Sequence, residues 1–389
     1  MYDFDTVTDR KNTASLKWDV KENELPMWVA DMDFKTAPAV AEALAARAAH
    51  GIFGYNIVPD EWYDAYISWW QARYGFTMER EHLIFCTGVV PAISSIVRKL
   101  TTPAENVLLL TPVYNIFFNS ILNNGRNPIS CPLVYRDRKY SIDFDDLERK
   151  LKMPQTTMML LCNPHNPTGI IWDAQTLKTI GDMCRRNNVI VVSDEIHCDL
   201  AAPGKKYTPF ASVSKECDSV TCIAPTKSFN IAGLQTAAVY APAERIYNKV
   251  NRALNTDEVA EPNAFAVTAA VAAYTRGGEW LDELRAYIAE NRRIVDNFIA
   301  SEIPDLYLVP SDATYLLWID CSKICGDSKA LAGFIRRETG LYLSDGAQYG
   351  EGGEGFLRLN IACPKALLYD GLKRLKKAVN AFNNKNREV

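Results

Sequence analysis

Between about residue 80 and residue 240, six short apolar runs alternate with stretches of helical spacing, and few folds accept that rhythm. The runs are Leu83–Cys86, Val107–Leu110, Met158–Cys162, Val189–Ser193, Val220–Ile223 and Ala237–Tyr240. Between them, Leu177, Ile180, Met183 and Cys184 recur at the three- and four-residue steps of one helix face. A strand that is apolar along its whole length is covered on both sides, and helices between successive strands make the sheet mostly parallel. The expectation is an α/β fold. Ligands of such sheets gather beyond the carboxyl ends of the strands. Gly88, Tyr114, Asn166, Asp194 and Lys227 all fall there.

The remainder of the chain reads differently. Gly277-Gly278 precedes a long amphipathic stretch in which Trp280, Leu284, Ile288, Val295 and Ile299 recur at helical spacing. Strands are expected at Tyr315–Ile319 and Phe356–Asn360, and a last helix from about Pro364 to Phe382, which together make a smaller α+β unit. The Lys373–Lys377 charge run reads as the solvated face of that helix. The net charge of −4 argues neither for nucleic acid nor for an anionic membrane surface as a partner. The acidic start, Met1-Tyr2-Asp3-Phe4-Asp5, has no signal pattern, and no apolar run is long enough to span a bilayer, so the expected location is the cytoplasm. Several of the ten cysteines, such as Cys86, Cys162 and Cys222, lie inside apolar runs and read as buried thiols. Cys321 and Cys325 have no second Cys/His pair, and with four histidines in the chain no metal site is expected.

Three segments carry chemistry. Lys227, in Ala224-Pro225-Thr226-Lys227-Ser228-Phe229-Asn230, follows a β-branched run, so its amine sits where a buried strand ends. Desolvation there disfavours the ammonium form and frees a nucleophile. Asp194 ends the run Val189–Ser193, and Asn163-Pro164-His165-Asn166-Pro167-Thr168-Gly169 follows the run Met158–Cys162. Gly88, Val89 and Val90 open a helix with Pro91 in its first turn. Their free amides could face a phosphate, although an ordinary strand-to-helix turn looks the same.

Taken together, these segments resemble the pyridoxal-phosphate enzymes of the aspartate-aminotransferase superfamily, fold type I, and the resemblance runs from Trp28 to Pro364. It implies a large cofactor-binding domain, residues 46–280, and a small domain built from residues 1–45 and 281–389. It implies pyridoxal 5'-phosphate as cofactor, with Lys227 as the catalytic amine that binds its aldehyde. Asp194 would bond the pyridine nitrogen, Asn166 the phenolic oxygen, and Tyr114 would stack on the ring. The phosphate would lie on Gly88, Val89, Val90 and Thr226, with Ser228 as a further donor. Arg358, in Phe356-Leu357-Arg358-Leu359-Asn360, would grip the carboxylate of an amino-acid substrate. Tyr55 would reach the phosphate of a neighbouring subunit, which makes the assembly a homodimer. The glycine-rich stretch Gly346–Gly355 is expected to be mobile and to form a lid or the edge of the entrance.

The sequence departs from the aminotransferase pattern in three places. His197 stands where many relatives have a tyrosine, and an imidazole would titrate near neutrality. Gln235 replaces a phosphate-binding arginine, and Ala224 a common serine. Pro26-Met27-Trp28-Val29-Ala30-Asp31-Met32-Asp33-Phe34, Asp194–His197 and Lys227–Ile231 are similar instead to the cystathionine β-lyase and cysteine–sulfur lyase subgroup. That similarity implies expulsion of a thiolate from the substrate's β-carbon, leaving pyruvate and ammonia, with Trp28 at the substrate. Two readings stand beside it: an aminotransferase, which would depend on a 2-oxo acid, and a scaffold that binds cofactor without turnover.

Overall fold

The computed structural model describes residues 2–387. Its centre is a seven-stranded sheet: β1 (Leu83–Cys86), β2 (Asn106–Thr111), β3 (Asn127–Pro132), β4 (Thr156–Cys162), β5 (Ile190–Asp194), β6 (Ser219–Ile223) and β7 (Ala237–Tyr240). In space the order is β1-β7-β6-β5-β4-β2-β3. Every pairing is parallel except the two made by β7, which runs antiparallel to both β1 and β6. A parallel return needs a long crossover, usually a helix. The link from Ile223 to Ala237 contains only a 3₁₀ turn, Ala232–Leu234, so β7 comes back reversed.

All six apolar runs became strands of this sheet. The seventh strand, β3, was not legible because Asn127-Pro128-Ile129-Ser130-Cys131-Pro132 has no apolar run. Proline cannot donate to a ladder, and β3 accordingly lies on the edge. Successive residues of the central strands feed opposite faces. Val107, Leu109, Met158 and Leu160 pack with helix Val89–Leu100, while Leu108, Leu110, Met159 and Leu161 pack with Leu177, Ile180 and Met183 of helix Ala174–Arg186.

The second sheet has four strands: β8 (Tyr307–Leu308), β9 (Leu316–Asp320), β10 (Ser344–Asp345) and β11 (Phe356–Asn360), in the order β8-β9-β11-β10. The helix Gly278–Glu302 leads into it and buries Trp280, Leu284, Ile288, Val295 and Ile299, as their spacing implied. The last helix, Lys365–Arg387, outruns its expected end at Phe382. Leu25–Pro26 pairs in parallel with Leu341–Tyr342, which ties the N-terminal segment to this half of the molecule. Helix Pro38–His50 runs through the expected boundary at 45/46, and helix Gly278–Glu302 through that at 280/281.

All ten cysteines are free thiols, nine of them buried and Cys325 half-buried. Among the described residues, no helix is long and apolar enough to cross a membrane, and no cluster of three or more His, Cys, Asp or Glu is placed to hold a metal ion.

Candidate active site

The carboxyl ends of β4, β5 and β6 and the start of helix Val89–Leu100 converge on a cavity of about 280 Å³. Its wall contains Gly88, Val89, Val90, Tyr114, Asn166, Asp194, His197, Thr226 and Lys227, nine residues that the sequence had singled out. Ala30, Thr87, Cys162, Ile196, Ala232 and Gln235 complete most of the rest. Larger hollows elsewhere, such as the open polar groove between Lys21–Glu24 and Arg336–Gly340, hold none of these groups.

Lys227 follows β6 after three residues, and its Nζ donates to the Ala30 carbonyl at 2.7 Å. Burial depresses its amine to about 8, with Arg358 adding to the effect and Asp31 and Asp194 opposing it. Asp194, the last residue of β5, is buried and accepts the backbone N–H of Ile196 at 3.1 Å. Burial pushes its carboxyl up to about 7, against the pull of Lys227. A carboxyl so placed is short of a cation. Its neighbour Glu195 points the other way, accepting from Ser193 Oγ at 2.7 Å and from the Phe210 N–H at 3.0 Å, and so anchors the turn.

Asn166 sits after β4 in a segment where both Asn163-Pro164 and Asn166-Pro167 are cis. Its Oδ1 accepts from Arg358 Nη1 at 3.0 Å. Arginine can only donate, so the orientation of this amide is settled and its Nδ2 remains the donor available to the cavity. Gly169 closes the segment at φ 74°, and its carbonyl accepts from the Asp312 and Ala313 amides at 2.8 and 3.0 Å. A Cβ here would lie 2.5 Å from the Ser311 Cβ. Gly169→Ala is therefore expected to destabilise the protein by about 1–3 kcal/mol, measurable by urea unfolding.

His197 departs from expectation. The sequence suggested an imidazole titrating near neutrality, but burial, with Lys227 and Arg358 adding to it, holds this ring down to about 3. It is a neutral ring whose Nδ1 is buried without a protein partner. Gln235 lines the cavity from a left-handed backbone, φ 54°, and Val89 and Val90 present first-turn amides that no helical carbonyl can reach.

Arg358 lies behind Asn166, not on the cavity wall. Its Nη2 donates to the Trp28 carbonyl at 2.8 Å, the Tyr349 ring lies 4.9 Å away, and its buried Nε has no partner. Trp28 enters the site only through that carbonyl, because its ring stacks on Tyr342 at 4.8 Å. Tyr55 is outside the cavity and fully exposed, in a loop that also exposes Ile52, Phe53 and Ile57. The stretch Gly346–Gly355 forms no open lid in this structure. Tyr349 is buried at its centre, its carbonyl accepts the Val113 N–H at 2.9 Å, and a Cβ on Gly346 would lie 2.1 Å from the Gly353 oxygen. Gly346 and Gly353 serve close backbone packing.

Sequence reasoning missed Ala30 and Tyr315. The Tyr315 hydroxyl donates at 3.2 Å to the same Ala30 carbonyl that receives Lys227. A backbone acceptor leaves no mark on residue type, so no signal was there to find.

The donor set fits a flat anionic cofactor: a helix start for a phosphate, Asp194 for a ring cation, Asn166 Nδ2 for a phenolic oxygen and a depressed lysine for an aldehyde. Comparison with known proteins agrees. The chain is 44% identical over 386 residues to cystathionine beta-lyase PatB of Bacillus subtilis strain 168, covering 97% of this chain and 100% of that one. A PLP-bound putative aminotransferase from Clostridium difficile 630 superposes with a TM-score of 0.95 at 36% identity, over 98% of this chain and 100% of its own. A PLP-bound C-S lyase from Staphylococcus hominis gives 0.92 at 32%, over 97% and 98%. The family model for aminotransferase class I and II matches residues 23–375. By that match, and by its full-length likeness to these enzymes, the chain belongs to the aminotransferase class I and II family.

Proposed function

We propose that this protein is a pyridoxal 5'-phosphate-dependent carbon–sulfur β-lyase acting on cystathionine or other S-substituted cysteines, releasing a thiol, pyruvate and ammonia. The observation that carries the reading is one cavity holding Lys227, Asp194 and Asn166, in a chain 44% identical along its length to a cystathionine β-lyase. Bound cofactor supplies an aldehyde for the substrate's amino group and a protonated heterocycle that draws electrons from the substrate's α-carbon.

The chain's own groups do the rest. Lys227 would hold the aldehyde and, when free, would remove the α-proton as general base, a role suited to an amine depressed to about 8. Asp194 would keep the heterocycle protonated. Asn166 Nδ2 and neutral His197 would bond the phenolic oxygen, Tyr114 would cover the ring, and Gly88, Val89, Val90 and Thr226 would receive the phosphate. Arg358, with a buried Nε still without a partner, holds the substrate carboxylate. Arg358 lies on β11 of the four-stranded sheet and Lys227 just after β6 of the seven-stranded sheet; a division into a smaller unit (1–45 and 281–389) and a larger one (46–280) would set the proposed site at their junction. Exposed Ile52, Phe53, Tyr55 and Ile57 support a homodimer in which Tyr55 completes the neighbouring site. The cytoplasm remains the proposed location.

Incubation with cystathionine and no 2-oxo acid should release pyruvate catalytically. Amino-group exchange that requires a 2-oxo acid, without pyruvate release, would make the protein an aminotransferase instead. Arg358→Lys should raise KM for cystathionine about 10- to 100-fold, because an ammonium cannot replace a charge-assisted fork worth about 1.5–3 kcal/mol. Steady-state kinetics of the variant test this directly.

A further inference from the structure

The stretch Trp28–Phe34 crosses the site as a strap, and two distant asparagines fasten it. Asn360, two residues beyond Arg358 on β11, donates through Nδ2 to the carbonyls of Val29 and Asp31, both at 2.6 Å. Its Oδ1 accepts the Ala362 N–H at 2.8 Å, which fixes the amide's orientation. Asn230, three residues beyond Lys227, accepts the Met32 N–H at 3.0 Å and donates to the Met32 and Phe34 carbonyls at 3.0 and 2.9 Å. It does so from a left-handed backbone, φ 55°, which asparagine tolerates better than most residues. Within the strap, buried Asp33 is held by Lys17 at 2.7 Å, Arg10 at 2.8 Å and Trp18 Nε1 at 2.8 Å. Ala30 lies between the two anchored positions, with its carbonyl on the Lys227 amine. Neither asparagine lines the cavity.

We propose that Asn360 and Asn230 are positioning residues: by holding the strap, they fix the Ala30 carbonyl as the acceptor that keeps the Lys227 amine in place and away from bulk water whenever it is not bound to cofactor. This rests on the reading of Lys227 as the reacting amine. A lysine side chain carries about 2 kcal/mol of rotamer entropy, so an amine that must leave and return needs a fixed acceptor nearby. The groups facing it are Asp31 on the strap, Asp194 at the end of β5, Arg358 on β11, His197 in the turn after β5, and Tyr315 on the shared carbonyl. Of these influences burial is the strongest. Loosening the strap therefore lets water in, and the amine moves back towards an ordinary lysine.

The full-length chain, freed of cofactor, can be labelled competitively with acetic anhydride across a range of pH, with the Lys227 peptide read by mass spectrometry. The wild-type amine should titrate near 8. In Asn360→Asp, which puts an oxygen against two carbonyls, and in Asn230→Ser, the midpoint should rise by about one unit or more towards the ordinary value near 10.4. Asn230→Ser decides the matter if Asn360→Asp does not fold. A folded variant that melts earlier but keeps the wild-type midpoint overturns the proposal, because the asparagines then only stabilise the fold. The labelling needs no turnover. Raised midpoints in a protein that releases no pyruvate would refute the lyase reading and leave the positioning role standing.

Discussion

Lys227→Ala is expected to lower pyruvate release from cystathionine by more than about 10⁴-fold, because in the proposed reaction one side chain is both the aldehyde-binding nucleophile and the general base. Its 2.7 Å bond to the Ala30 carbonyl holds the amine on the cavity wall, and burial leaves about half of it unprotonated near pH 8. No other side chain can take over. In the proposed reaction Asp194 and Asn166 would act at the ring, burial holds the His197 imidazole down to about 3 and so neutral, and burial pushes the Tyr114 phenol up to about 12. A small primary amine added to the variant should recover part of the lost rate by acting as a diffusible base, and Lys227→Arg should gain nothing. Borohydride reduction followed by peptide mass spectrometry gives a second readout, with cofactor mass on the Lys227 peptide of the wild type alone. A variant that keeps more than about a hundredth of the rate would remove Lys227 from the proton-transfer step.

The chemistry-bearing residues were legible because they follow strands, and the strands were legible because they are buried on both faces. Met158–Cys162 needs nothing but its own apolar run to be read, and Asn166 follows it four residues later. What stayed hidden depends on contacts across great stretches of chain. The Ala30 carbonyl meets Lys227 across 197 residues, and Asn360 meets Val29 across 331. Such pairings are decided by how the two sheets sit together, and a carbonyl looks the same in every residue. The glycine-rich stretch Gly346–Gly355 misled for a related reason. Glycine marks both loose loops and tight backbone approach, and only the buried Tyr349 between those glycines tells the two apart. His197 was read as a titrating group because residue type gives the reference value, while burial decides the shift. Trp28 was expected at the substrate, yet its ring packs on Tyr342 and it is its carbonyl that accepts from Arg358.

Asp194→Asn should separate stability from turnover. The buried carboxyl is raised to about 7 from an ordinary 3.8, so without cofactor the folded chain holds a proton that the unfolded chain releases. A folded-state value above the unfolded one means that stability falls as pH rises between the two, by about 1.4 kcal/mol per unit. The asparagine carries no charge and escapes this loss. The cofactor-free variant should therefore be more stable than the cofactor-free wild type at pH 8, and the difference should shrink as pH falls towards 4. Turnover should move the opposite way. A neutral amide cannot hold the heterocycle protonated, and removing an electrostatic partner of developing charge costs about 10²–10³-fold in kcat. Urea unfolding of the two cofactor-free proteins at several pH values, beside kcat for cystathionine, measures both effects. If the variant proves less stable at pH 8, then Asp194 is ionised comfortably by its own surroundings, and the cavity is not built around a missing cation. If stability rises but kcat is untouched, the carboxylate does not face the heterocycle. Both results together, a gain in stability and a loss in rate, are what a carboxylate kept in a dry place for the sake of a bound cation requires.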